Sequence, residues 1–352
     1  MTLSPPSSPT APRDWLRLLR HYREPSHARS TFEVALTAIL FALCWFASWF
    51  CFQWGYWLSL ILAIPAAGLL VRLFMIQHDC GHGTLFRHRR LNDWIGRIIG
   101  ALTLTPYDHW RLSHNVHHAS SGNLERRGIG DIDTLTVREY LQCSPRQRLA
   151  YRVYRNPLVM FGLGPAYLFL IQQRLPVGAM RAGWRPWLST MGTNVAIALV
   201  ITATVWFVGW WPFLLVHLPI TVLAASIGVW LFYVQHQFED TFWAGESTWT
   251  MPEAALRGSS HYDLPRVLRW FTANIGIHHV HHLCSRIPYY RLTRVLRDHP
   301  ELANVGRLTL AQSFKCVRLV LWDEDQRRLI SFRELGYRST SLSLPETATR
   351  LP

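Results

Sequence analysis

The chain carries three histidine clusters, His78-Asp79-Cys80-Gly81-His82, His114-Asn115-Val116-His117-His118 and His278-His279-Val280-His281-His282. On a helix, residues three and four apart share a face. The first cluster then presents His78 and His82 together, the second His114, His117 and His118, and the third His278, His281 and His282. Imidazoles crowded on one face repel when protonated and gain little when neutral unless they bind something. A metal is the natural occupant. Adding His236, at the end of the last long apolar stretch, makes nine candidate ligands. One zinc needs about four ligands, or three and a water. Nine suit two metals with four or five each and positions left for oxygen, and imidazole accepts iron, zinc, copper or nickel. Soluble di-iron proteins rely on glutamates and repeated Glu-x-x-His. The only match here, Glu24 to His27, encloses Pro25 and is discounted.

The elements that must position these side chains are apolar. Of 352 residues 49% are hydrophobic and 16% charged, with 17 Trp and 17 Phe, too apolar for an ordinary soluble enzyme. Apolar runs over 32–52, 57–76, 188–208 and 213–234 are each long enough to cross a bilayer. Gln53 to Tyr56 join the first two, and Gly209-Trp210-Trp211-Pro212 the last two. The expected fold is an all-α integral membrane protein, four transmembrane helices in two hairpins, with a helical cytoplasmic cap holding a histidine-rich di-metal site. The net charge of +14 comes almost wholly from arginine, Lys315 being the one lysine. No arginine or lysine lies between Arg29 and Arg72 or between Arg185 and Arg257, so the charge flanks the spans and argues for a membrane orientation rather than nucleic acid. Both termini and all three clusters then face the cytoplasm. Arg72, near the end of its run, is expected to snorkel to the headgroups.

Residues 1–30 read as a disordered tail followed by an interfacial amphipathic segment around Trp15 to Arg23, 31–335 as the membrane domain, and 336–352 as a disordered tail. Residues 94–105 are apolar but too short to cross, an interfacial helix ended by Pro106, and Ser113 is placed to cap the helix of the second cluster. The polar stretch 119–156 reads as loop and helix, Pro157 to Ile171 as interfacial, and Arg286 to Arg333 as a basic helical tail. Six cysteines without a C-x-x-C pair suggest free thiols in a reducing compartment, and no cleavable signal is visible.

The three boxes, H-x-x-x-H and twice H-x-x-H-H, resemble those of the membrane fatty acid desaturases. Thr105-Pro106-Tyr107, Asn123-Leu124-Glu125-Arg126-Arg127-Gly128, Leu135-Thr136-Val137-Arg138-Glu139-Tyr140, Tyr154-Arg155-Asn156-Pro157, Phe232-Tyr233-Val234-Gln235-His236 and Asn274-Ile275-Gly276 are similar to the bacterial acyl-lipid branch, including enzymes that act at the fifth carbon of phospholipid chains. The resemblance spans roughly residues 30–335. It implies a mushroom-like four-span protein, two iron ions bound by His78, His82, His114, His117, His118, His236, His278, His281 and His282, dioxygen as co-substrate, and a tunnel for one acyl chain. His279 falls outside the spacing and is left as a non-ligand. His88, His109 and His261 are read as surface or supporting residues, and Asp79, Asp131 and Asp133 as candidates to orient a ligand.

Removing hydrogen from an unactivated methylene needs an oxidant that no side chain provides, so a redox metal with dioxygen must supply it. The chain has no dinucleotide fingerprint, no cysteine array for an iron–sulfur cluster and no haem-binding segment, so a separate electron donor is expected. An acidic ferredoxin or flavodoxin suits the arginine-rich surface, though anionic lipid suits it equally. The same residues also suit a membrane hydroxylase of alkanes or carotenoids, or a histidine-rich metal transporter or sensor.

Overall fold

The computed structural model describes residues 12–342 and is mostly helical. Four helices are long and apolar enough to cross a membrane: His27–Phe52, Tyr56–His82, Trp184–Val208 and Trp210–His236, of 26, 27, 25 and 27 residues. At about 1.5 Å per residue each exceeds the roughly 30 Å hydrocarbon core. The surplus lets the second and fourth helices carry His78, His82 and His236 on their last turns without a break.

The turns are tighter than expected. Gly209 alone, at φ 83°, separates the third and fourth spans, and Trp210 already belongs to the helix. Gly83, at φ 69°, ends the second span, its N–H returning to Asp79 and Cys80 carbonyls, a left-handed cap that suits glycine. Ser48 Oγ lies 2.8 Å from Ser59 Oγ at the far end of the first two helices.

Arg72 does not snorkel. Its side chain is 2% exposed and its Nη2 lies 2.5 Å from Glu33 Oε2 of the first span, also 2% exposed. Its Nε donates to Thr37 Oγ1, Nη1 to the Trp270 carbonyl, and its guanidinium sits 4.3 Å from the Trp270 ring centroid. Opposite charges in adjacent apolar helices neutralise each other more cheaply than either reaches water.

Other expectations shift as well. The helix after the first box, Arg89–Leu102, ends before Pro106, with Leu104 at φ 55°, and Pro106 instead opens the next helix, Tyr107–Ser120. Ser113 lies inside that helix and donates to the Trp110 carbonyl rather than capping it. The N-terminal segment turns its apolar side onto the chain itself: Trp15, Leu19 and Tyr22 are buried, and the Tyr22 hydroxyl bonds Asp298. The fold is not wholly α. Residues 261–263 pair in parallel with 307–309, and 321–323 antiparallel with 328–330, so Arg286 to Arg333 is a mixture of helix and strand. The last helix, Phe332–Leu342, enters the stretch read as a tail. Residues 1–11 and 343–352, the remainder of both expected tails, lie outside the described residues.

Candidate metal centre

Box one sits on the last turns of the second span, box two on the helix Tyr107–Ser120, box three on the short helix His278–Leu283, and His236 on the last turn of the fourth span. The position of box three is set by close backbone approach. Tyr262 N–H donates to the Gly276 carbonyl at 2.7 Å, and a Cβ on Gly276 would lie 2.3 Å from the Tyr262 oxygen. Ala273 and Asn274 precede it at φ 47° and 57°.

All nine expected residues converge, in two groups. His78, His82, His114, His118 and His281 form one, and His117, His236, His278 and His282 the other, with the ring nitrogens of each within 4.8 Å of one another. Nε2 atoms face one another across the first group, His114 at 3.1 Å from His82 and 3.2 Å from His118, and His281 at 3.2 Å from His118. In the second, His236 Nε2 is 3.2 Å from His117 and 3.0 Å from His278, and His282 is 3.1 Å from His278. Two nitrogens at right angles about 2.1 Å from a shared ion stand about 3.0 Å apart, so these separations are of the size a ligand shell would have. Stacking locks the rings. Trp110 lies parallel to His114 at 4.7 Å, and His118 to His282 at 4.1 Å, the latter pair linking the two groups.

The electrostatics agree. Burial, and then the neighbouring imidazoles, push His114, His118, His278, His281 and His282 well below their ordinary pKa, leaving them neutral with lone pairs available. Nδ1 of His118 and of His278 has no hydrogen-bond partner among the described residues.

Of the acidic candidates, Asp131 reaches a candidate ligand: its Oδ1 lies 2.5 Å from His117 Nδ1. Asp79 is 3.4 Å from His78 Nδ1, while its other oxygen accepts the Tyr289 backbone N–H at 2.8 Å. Asp133 contributes a backbone N–H to the Tyr154 hydroxyl. His279 is in neither group; burial lowers its pKa to about 3 and its Nε2 bonds the Leu302 carbonyl at 2.9 Å. His261 bonds the Ala303 carbonyl, and His88 precedes the helix Arg89–Leu102.

Two supports escape a reading by histidine spacing. Arg155, 4% exposed, bonds the Asp133 carbonyl, Thr134, Tyr233 and Gln237, tying the segment after Asp131 to the end of the fourth span. Tyr289 joins Asp79 through its N–H and Glu33 through its hydroxyl at 3.0 Å. The signal for the Glu33–Arg72 pair was present, since each is the single charge in its apolar run.

Fold and site together define an integral membrane protein with an all-histidine cluster, buried in one group and partly buried in the other, where its spans end. A model of the fatty acid desaturase family matches residues 55–312. A fatty acid desaturase of Bacillus subtilis (strain 168) is 44% identical over 321 residues, 91% of each chain. In Synechocystis, an sn-1 oleoyl-lipid 12-desaturase is 31% identical over 63% of each chain. An sn-1 acyl-lipid omega-3 desaturase (ferredoxin) from the same organism is 30% identical over 77% of this chain and 75% of its own. This chain belongs to the fatty acid desaturase family. It is an oxidoreductase of lipid metabolism, and the hydroxylase and transporter alternatives give way to that reading.

Proposed function

We propose that the chain introduces a cis double bond into the acyl chains of membrane lipids, using two irons held by the nine histidines, dioxygen, and electrons from a separate carrier. The observation that carries this is the partition of those imidazoles into groups of five and four. When bound, the irons supply the oxidant from dioxygen that takes two hydrogens from adjacent methylenes, two electrons and two protons completing the reduction to two waters.

The protein's own part is positional. Neutral imidazoles offer nitrogen without bringing charge. Asp131 accepts the His117 Nδ1–H and so turns Nε2 into the four-nitrogen group. Arg155 and the Glu33–Arg72–Tyr289–Asp79 chain of bonds hold the surrounding helices, and burial keeps bulk water from the reacting carbons. A cavity of about 20 Å³ beside His236 and Asp131 has room for roughly one small molecule. The spans form two hairpins, with both termini and the centre on the cytoplasmic side of a bacterial inner membrane, within one domain over 31–335. The electron carrier is an acidic one of the ferredoxin or flavodoxin kind, in keeping with the basic surface and with the name of the omega-3 relative.

Expression in a host lacking desaturases, followed by fatty acid analysis, tests this. A product two mass units lighter with one new double bond is expected, and locating that bond in the product gives its position along the acyl chain. A gain of one oxygen would overturn the reaction, and His118→Ala or His282→Ala retaining product would overturn the ligand set.

A further inference from the structure

A cavity of about 310 Å³, within the size of small-ligand pockets, opens between the start of the first span, the short helix Arg266–Phe271 and the helix Tyr289–Asp298. Arg29, Arg72, Arg266 and Arg269 line it, against the single carboxylate of Glu33. That carboxylate is fully engaged, one oxygen 2.6 Å from Arg29 and the other 2.5 Å from Arg72. Among the described residues the one carboxylate near Arg269 is Asp263, at 4.0 Å, which Arg307 holds at 2.7 Å; Arg269 otherwise donates Nη2 to the Leu264 carbonyl at 3.3 Å, and its Nε is buried without a partner. Arg266 has no bonded partner among the described residues. The cavity therefore has an excess of guanidinium donors, the groups best matched to phosphate oxygens.

Its rim is greasy. Val267 is 67% and Leu268 41% exposed on the helix that carries Arg266, and Phe32 is 53% exposed one turn after Arg29, whose guanidinium lies 5.6 Å from its ring. A basic cavity bordered by exposed apolar side chains at the end of a span fits a lipid headgroup better than a soluble anion. Tyr289 lines this cavity and bonds Asp79, next to His78, so it adjoins the histidine centre.

We propose that this cavity binds the phosphate of a membrane phospholipid whose acyl chain is presented to the histidine centre. The substrate role rests on the acyl-lipid reading above; the binding does not. The detergent-purified, metal-loaded full chain is offered phosphatidylglycerol or phosphate-free diacylglycerol, and bound lipid is counted by native mass spectrometry. Arg266→Glu and Arg269→Glu are each expected to weaken phosphatidylglycerol binding roughly tenfold without changing diacylglycerol, and Arg266→Lys to retain it. Arg269→Glu also removes a bond to the Leu264 carbonyl, so Arg266, with no partner to lose, carries the test if that variant misfolds. Unchanged phosphatidylglycerol retention in Arg266→Glu overturns the site. Displacement of the lipid by millimolar inorganic phosphate overturns the lipid as its occupant in favour of a free anion. The KM for phospholipid rises in Arg266→Glu if the lipid is substrate, and weakened retention with an unchanged KM overturns that role. Because retention is read without turnover, a failed site and a failed desaturase reading give different results.

Discussion

Replacing Asp131 with asparagine tests the centre at the point where the two groups differ in support. His117 turns Nε2 toward the four-nitrogen group, so Nδ1 carries the proton and donates to Asp131 Oδ1 at 2.5 Å. The carboxylate side chain is 17% exposed and the imidazole 1%, so little solvent screens the bond. Asparagine keeps the shape and removes the charge, and with it about half the strength of a charge-assisted bond. Loss of such an outer partner costs about 10–100-fold in metal affinity, which is about 1.4–2.8 kcal/mol. His117 belongs to one group only, so with one ion in each group, as proposed above, the loss falls on one of them. In Asp131→Asn, dialysis against graded chelator with elemental analysis should show half the metal leaving at about 10–100-fold lower chelator and half leaving as in the parent. Asp133→Asn, whose bond to Tyr154 is made by the backbone, should leave both steps in place. Both ions leaving together at the parent concentration, or loss from the five-nitrogen group alone, would refute the partition.

Three further outcomes follow from the same geometry. Glu33→Ala strands the Arg72 charge where both partners are 2% exposed, so stability should fall by about 3–5 kcal/mol, and Glu33→Ala/Arg72→Met should recover much of it in a thermal-denaturation assay in detergent. In Gly276→Ala the new Cβ meets the Tyr262 oxygen at 2.3 Å, a backbone atom that cannot yield. Stability should drop by about 1–3 kcal/mol, and metal content should fall in both groups, since box three serves both. Acid should destabilise the metal-free protein: His118, His279, His281 and His282 have pKa values lowered by burial, so below about 6.5 the unfolded chain binds protons that the folded chain refuses. Stability is then full above about 6.5 and declines as pH falls, which a denaturation series from pH 8 to about 5 measures; a flat profile would contradict the burial.

Much of the architecture was legible because it is local. A run of about twenty apolar residues announces a span wherever it packs, and three- and four-residue spacing tells which imidazoles share a helix face. The same spacing left His279 out, and it lies outside both groups. Punctuation was less legible. Pro106, read as a helix end, opens the next helix, and the expected cap Ser113 lies within it, since one residue type serves several positions in a turn.

The nine histidines could be named from their order in the chain, but not divided. His281 joins four residues of boxes one and two, while His117 leaves its neighbours His114 and His118 for His236 and box three. Helical periodicity fixes direction only about each helix's own axis, and the division depends on how the helices cross. Arg72 teaches the same lesson. A single arginine near the end of an apolar run is compatible with reaching for headgroups or with pairing inward, and only the rotation of two neighbouring helices, which put Glu33 beside it, decided between them.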